Sequence, residues 1–134
     1  MITEINKYKN YNHFKELLEN FDSLNLNIGE YAIFGSGPLA IRGLVYAGDV
    51  DIIIKKEFWK YRDIREYETI RIGNFELSNS WPGFDINLLI DTSEVIENYS
   101  FVKIEYVLQY KENLKRDKDI ETLKRIKNMT KISS

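Results

Sequence analysis

The stretch FGSGPLA at positions 34–40, followed by DVDIII at positions 49–54, decides how this chain is interpreted. Glycine and serine between an apolar run and a proline indicate a strand that ends in a tight turn and leads into a helix, because Pro38 suits a first helical turn. The Ile-rich second stretch is typical of a buried strand. Together they predict a strand–turn–helix–strand unit.

Two acids, Asp49 and Asp51, stand at alternate positions of the second strand, so both side chains are expected on one face, together with that of Ile53. By the rise per residue the two carboxylates are about 7 Å apart along the strand, and they repel each other unless a positive charge lies between them. A divalent cation would supply that charge. The structural alternative is that Asp49 caps the turn after Gly48 while Asp51 is solvated at the strand end.

A third apolar stretch, at positions 84–90, predicts another buried strand with Asp85 and Asn87 on the face opposite its apolar residues. An acid within such a strand is costly unless it has a partner. If this strand lies beside 49–54, Asp85 joins Asp49 and Asp51 in a cluster of three carboxylates. The alternative is an edge strand whose outer face, with Asp85, is exposed.

The remaining elements alternate in type. Helices are expected at 11–21, from Pro38 to near Gly48, and at 56–65, 93–98, 105–114 and 118–129. Strands are expected at 31–34, at 69–72 and 75–77 as a hairpin around Gly73-Asn74, and at 101–104 as a final edge strand. The fold class is therefore α/β (α+β), a mixed β-sheet with flanking helices. We expect a single domain over 1–134, with its core at about 31–104 and C-terminal helices at about 105–130.

Composition restricts the chemistry. The 134 residues include no cysteine and only one histidine, His13, which excludes thiolate and His-rich metal sites. Any metal must be held mainly by oxygen, which favours Mg²⁺ or Mn²⁺. The net charge of −2 gives no global reason to expect nucleic-acid or membrane binding. Without a long apolar run or a signal-peptide centre, a soluble cytoplasmic protein is expected.

The turn at 34–40 has a clear physical use. Its glycines allow the backbone to approach a ligand closely, while Ser36 and the start of the following helix offer donors to phosphate oxygens. It is not a Walker A loop, because no Gly-Lys-Ser/Thr follows, and it is not the dinucleotide pattern Gly-x-Gly-x-x-Gly. The turn and the acids together predict a site for a metal-bound nucleoside triphosphate.

This combination resembles the DNA polymerase β-like nucleotidyltransferase superfamily, in particular its small single-domain members of the toxin and antitoxin type. The family pattern is a strand ending in Gly-Ser, a helix, Asp-x-Asp on the next strand and an acid on a third strand. Here these are Gly35-Ser36, Asp49-Val50-Asp51 and Asp85. The resemblance covers roughly 31–129.

The resemblance implies that this chain is a nucleotidyltransferase. Its substrate would be a nucleoside triphosphate, expected to be ATP. A hydroxyl of a protein, an RNA or a small molecule would receive the nucleoside monophosphate, and pyrophosphate would leave. Asp49, Asp51 and Asp85 would be the catalytic residues and would hold Mg²⁺ or Mn²⁺. Asp85 would also accept the proton of the hydroxyl.

Nucleotide binding is expected at Gly35 and Ser36, with Arg42 and Lys111 carrying part of the charge of the pyrophosphate. Other basic candidates are Lys55, Arg116 and Lys118. The basic excess near the C-terminus is most simply a solvated helix face.

Other functions fit the same residues. One is a non-catalytic, nucleotide-binding antitoxin or regulatory module on the same fold, and a more remote one is a metal-dependent nuclease or phosphatase. Larger members of the superfamily bind their acceptor with an added helical domain. The acceptor is therefore expected to be a protein or RNA partner, or to be bound across a homodimer.

Overall fold

A computed structural model of the chain describes residues 4–65 and 68–114. Over these residues the fold is mixed α+β, a six-stranded mixed sheet flanked by helices, which confirms the expected fold class. The helices are α1 (Glu4–Leu17), α2 (Gly37–Ala40), α3 (Ile86–Asp91) and α4 (Ile104–Leu114). The strands are β1 (Tyr31–Phe34), β2 (Val50–Ile54), β3 (Ile70–Ile72), β4 (Phe75–Ser78), β5 (Glu94–Ile96) and β6 (Tyr99–Phe101). Short 3-10 helices lie at Phe21–Leu24 and Lys56–Phe58.

The sheet has the strand order β3-β4-β2-β1-β6-β5. At its centre β2 pairs antiparallel with β1 and parallel with β4, so the two neighbours of β2 run in opposite directions. In this register Phe34 is opposite Asp51 and Asp51 is opposite Glu76. Residues from three separate strands therefore meet in one row across the sheet.

Both faces of the central strand are covered. Val50, Ile52 and Ile54 pack into the cluster that includes residues of α1, whereas Ile53 packs into the cluster that includes residues of α3 and α4. Burying one such side chain contributes about 1.5–3 kcal/mol. This alternation supports the prediction that Asp51 and Ile53 share one face. Among the described helices, none is long and apolar enough for a membrane span.

The strand expected at 84–90 is wrong, because residues Ile86–Asp91 form helix α3. Ile86, Leu89 and Ile90 are buried with the spacing of one helix face. Asp85 stands at the N-cap, where its Oδ1 accepts a hydrogen bond from the Leu88 amide at 3.3 Å. A short apolar run fits a strand and a helix equally well, and here the capping aspartate favours the helix.

Three other expectations about helices and strands are corrected. The expected helix at 56–65 is reduced to the 3-10 helix Lys56–Phe58. The expected helix at 93–98 is strand β5, followed by a turn in which Glu97 and Asn98 have φ of 51° and 73°. Because two successive positive φ angles suit a tight hairpin turn, β5 and β6 pair antiparallel. The expected edge strand at 101–104 is displaced to β6, and β5 forms the edge.

Several expectations are confirmed. The strand at 31–34 is β1, the hairpin around Gly73-Asn74 is β3–β4, and the helix at 105–114 is α4. The N-terminal helix begins and ends earlier than expected, at Glu4 and Leu17. The helix predicted at 118–129 lies outside the described residues.

Replacing Asp85 with alanine removes the N-cap of α3, and we expect the free energy of unfolding to fall by about 1 kcal/mol. Urea denaturation of Asp85→Ala, compared with the wild type, measures this change. The matched control is Asn87→Ala, since Asn87 is an exposed residue within the same helix. An Asp85→Ala protein as stable as the control would contradict the capping role.

Candidate metal centre

Three acidic residues meet at the start of the central strands. Asp49 immediately precedes β2, Asp51 lies within β2, and Glu76 lies opposite Asp51 on β4. One carboxylate oxygen from each lies within 4.8 Å of the others. Oxygens that share a hard cation are at most about 4–5 Å apart, because each lies about 2.0–2.6 Å from the ion. The three residues, called the carboxylate triad below, therefore have a spacing at which their oxygens could hold one metal ion.

The triad carries negative charge that its surroundings do not balance. Burial of the Asp51 carboxyl, a hydrogen bond shared with Glu76, and repulsion by Asp49 and Glu76 together raise the pKa of Asp51 to about 7. Burial, followed by the charge of Glu76, also raises the pKa of Asp49. A proton on Asp51 or a cation among the three groups relieves this repulsion.

One cation already lies beside the triad. Arg71 on β3 is opposite Glu76 in the hairpin register, and its Nη1 is 2.6 Å from Glu76 Oε1 and 3.6 Å from Asp49 Oδ2. Its guanidinium lowers the pKa of both aspartates, although other causes outweigh it. Within residues 4–65 and 68–114, one arginine against three carboxylates leaves a net negative charge. The site therefore remains suited to a divalent cation.

The Gly-Ser turn lies directly against the triad. Gly35 has φ of 63°, a backbone conformation that favours glycine, and a Cβ atom at this position would overlap Asp51 Oδ2. Ser36 follows as the N-cap of α2, and its side chain makes no capping hydrogen bond. The structure thus brings together two groups that the sequence predicted separately, a phosphate turn and a metal-binding acid.

The helix after the turn is shorter than expected. It is a single turn, Gly37–Ala40, and not a helix that continues to near Gly48. A macrodipole sums over the aligned peptides of a helix, so a helix of this length contributes little charge stabilisation at its N-terminus. Any binding of phosphate here must come from the backbone of the turn and the Ser36 hydroxyl.

The structure does not bring Asp85 into the triad, and Glu76 takes the third position. Asp85 is exposed and caps α3. Glu76 carried the same sequence signal that singled out Asp85, an acid between apolar strand residues, because Phe75 and Leu77 on either side of it are buried. What the sequence could not supply was that β4 pairs with β2.

The predicted basic residues are held elsewhere. Arg42 donates to the Glu94 carboxylate and, at 2.6 Å, to the Pro38 carbonyl. Lys55 forms an ion pair with Asp91 at 2.5 Å. Lys111 is buried in α4, with 9% of its surface exposed. Arg116 and Lys118 lie outside the described residues.

The basic residue that contacts the triad, Arg71, was not predicted. Its signal was available in the hairpin, since opposite charges at cross-strand positions stabilise a pair of antiparallel strands.

Comparisons of this chain with family models, with curated proteins and with solved structures give no match.

The raised pKa of Asp51 predicts how stability depends on pH. The carboxyl of an unfolded aspartate has a pKa of about 4, so the folded state binds the Asp51 proton more tightly. This contribution is complete below about pH 4 and is lost as the pH rises towards 7. In EDTA we expect Tm to fall between pH 5 and pH 8, and Mg²⁺ or Mn²⁺ to restore it at pH 8.

The variant Asp51→Asn should flatten this profile and raise Tm at pH 8 by roughly 5 °C, because the neutral amide removes the repulsion. Thermal unfolding followed by circular dichroism measures both effects. Asp22→Asn, at an exposed position outside the triad, is the control and should keep the wild-type profile. An unchanged slope in Asp51→Asn would contradict the assignment.

Arg71 should weaken metal binding, because its guanidinium repels a cation held by the same carboxylates. We expect Arg71→Gln to bind Mn²⁺ roughly fivefold more tightly at pH 8, since a charge pair near a protein surface is worth about 1 kcal/mol. Isothermal titration calorimetry measures the affinity. Arg62→Gln, at an exposed position, is the matched control. Equal or weaker affinity in Arg71→Gln would show that Arg71 does not act on the site.

Proposed function

We propose that this chain is a metal-dependent nucleotidyltransferase that moves a nucleoside monophosphate from a nucleoside triphosphate, expected to be ATP, to a hydroxyl acceptor. The observation that carries the proposal is the approach of Gly35 to the Asp51 carboxylate. A turn suited to phosphate oxygens lies against acids suited to a divalent cation, and a metal-bound triphosphate needs both. The family resemblance of Gly35-Ser36 and of Asp49-Val50-Asp51 agrees with this function.

The triad would hold Mg²⁺ or Mn²⁺ through Asp49, Asp51 and Glu76. Its donors are all oxygens, their spacing fits one hard cation, and burial together with repulsion from the neighbouring acids raises the pKa of Asp49 and of Asp51. When bound, the metal would neutralise charge on the phosphates and lower the pKa of the acceptor hydroxyl. In this proposal Glu76 replaces Asp85 as the third carboxylate.

Residues around the triad would hold the phosphates of the nucleoside triphosphate. In the proposed reaction the acceptor hydroxyl loses its proton to water and its oxygen bonds to the α-phosphorus. The bond from that phosphorus to the bridging oxygen breaks, and pyrophosphate leaves in line. The backbone of Gly35 and Ser36 would hold the departing phosphate oxygens. Arg71, already 2.6 Å from Glu76, would carry part of their charge, the role first expected of Arg42 and Lys111.

Label transfer tests the proposal. The protein is incubated with Mg²⁺, a cell extract and each of ATP, GTP, CTP and UTP labelled at the α-phosphate. We expect one or more labelled acceptors, and Asp51→Asn and Glu76→Gln should each reduce the label by at least about 100-fold. Glu16→Gln, at an exposed position of α1, is the matched control and should transfer label as the wild type does.

The other outcomes point to other functions. Nucleotide binding without transfer to any protein, RNA or small molecule would support the non-catalytic antitoxin or regulatory module. Release of labelled monophosphate without an acceptor would support a nuclease or phosphatase. If Glu76→Gln transfers label as the wild type does and Asp85→Asn does not, the third catalytic carboxylate is that of Asp85 and not that of Glu76.

A further inference from the structure

A cavity of about 500 Å³ lies between residues 56–57 and residues 79–87. It is outside the carboxylate triad, since none of the three acids lines it. Asp51 and Glu76 lie near the starts of β2 and β4, whereas Lys56 and Asn79 follow the ends of the same strands. Its volume is within the range of small-molecule sites, roughly 300–1,000 Å³.

Two buried polar atoms of this cavity's lining have no hydrogen-bond partner. Asn79 is nine-tenths buried, with 9% of its surface exposed, and its Oδ1 accepts no hydrogen bond. The indole Nε1 of Trp81 is also buried and donates none. Buried polar groups are almost always paired, because an unpaired one is costly. The orphan acceptor and the orphan donor belong to two residues that line one cavity, and a ligand there that offers a donor and an acceptor would pair both.

The charges and walls of the cavity limit the class of ligand. Lys56, Glu57 and Asp85 line it and sum to one negative charge, which disfavours a phosphate group. Trp81 and Phe84 add aromatic surface. Aromatic walls with a few placed polar groups suit a flat, uncharged heterocycle.

The cavity is linked to the triad through one stacked pair of rings. The rings of Trp81 and Phe34 are 4.7 Å apart with an interplanar angle of 12°, and Phe34 is opposite Asp51 in the sheet. Trp81, which lines the cavity, is therefore packed on the strand neighbour of a triad residue.

We propose that this cavity binds a nucleobase. Asn79 Oδ1 accepts a hydrogen bond from an amino or ring N–H of the base, and Trp81 Nε1 donates to a ring nitrogen or carbonyl oxygen. The choice of a nucleobase among flat heterocycles rests on the proposed nucleotidyltransferase function. The base belongs either to the nucleoside triphosphate at the triad or to a separate nucleoside.

The two tryptophans of the chain provide the test. In ¹⁵N-labelled full-length protein, adenosine, guanosine, cytidine and uridine are titrated separately to millimolar concentration. We expect at least one nucleoside to shift the Nε1–H resonance of Trp81 saturably. The Nε1–H of Trp59 is an internal control and should not move, because it already donates to the Tyr61 carbonyl at 2.5 Å.

Two variants identify the contacts. Asn79→Leu removes the acceptor and should weaken nucleoside binding about tenfold in calorimetry. Trp81→Phe keeps an aromatic ring on Phe34, assigns the resonance and should weaken binding to a similar extent. If Asn79→Leu does not fold, Trp81→Phe and the wild-type titration still decide the outcome. Absence of any nucleoside-dependent shift in folded wild-type protein overturns the inference.

A second arm separates this inference from the proposed function. Mg²⁺ with inorganic tripolyphosphate should bind the wild type and not Asp51→Asn, whereas nucleoside binding should be the same in both. Nucleoside binding without tripolyphosphate binding or label transfer would support the base site and contradict the transferase function. If Asp51→Asn weakens the effect of a nucleoside triphosphate on Trp81, the base is that of the triphosphate. If it does not, the base is that of a separate nucleoside.

Discussion

Repulsion among three carboxylates is the constraint on which the rest of the structure depends. Asp49, Asp51 and Glu76 are held within 4.8 Å of one another, an arrangement that is unfavourable unless other interactions impose it. The parallel pairing of β4 with β2 imposes it, and that pairing is secured by apolar residues buried on both faces of the sheet. The favourable free energy of packing therefore offsets the repulsion between like charges, an arrangement that is characteristic of functional sites.

Local signals predicted much of the fold, and non-local pairing accounts for what they missed. The β1 strand, the β3–β4 hairpin and the common face of Asp51 and Ile53 follow from alternation and turn chemistry within a few residues. Whether 84–90 is strand or helix depends on seven residues whose apolar pattern suits both. The position of Glu76 beside Asp51 depends on which distant strand joins β2, and nothing within either segment encodes that choice.

The third acid of the triad is Glu76 and not Asp85, but the pattern of three acids is kept. The resemblance requires an acid on a third strand, and the sequence offered Asp85 on a segment that turned out to be helical. Glu76 on β4 meets the same requirement from an earlier position in the chain. The proposed function therefore depends on the sheet topology more than on the spacing of acids along the sequence. The cavity proposed to bind a base lies towards the other ends of β2 and β4, so one pair of strands carries both the triad and the wall of that cavity.

The two outer strands of the sheet each carry a charged side chain that forms an ion pair. On β3, Arg71 is bound to Glu76, and on β5, Glu94 is bound to Arg42. An outer strand presents unpaired backbone groups, and another chain can add to it as a further strand. Each outer strand here carries a charged side chain held in a partly exposed ion pair, and a strand added alongside would have to accommodate that charge. Because charge on an outer strand disfavours pairing with another chain, the two ion pairs also oppose aggregation through the edges of the sheet.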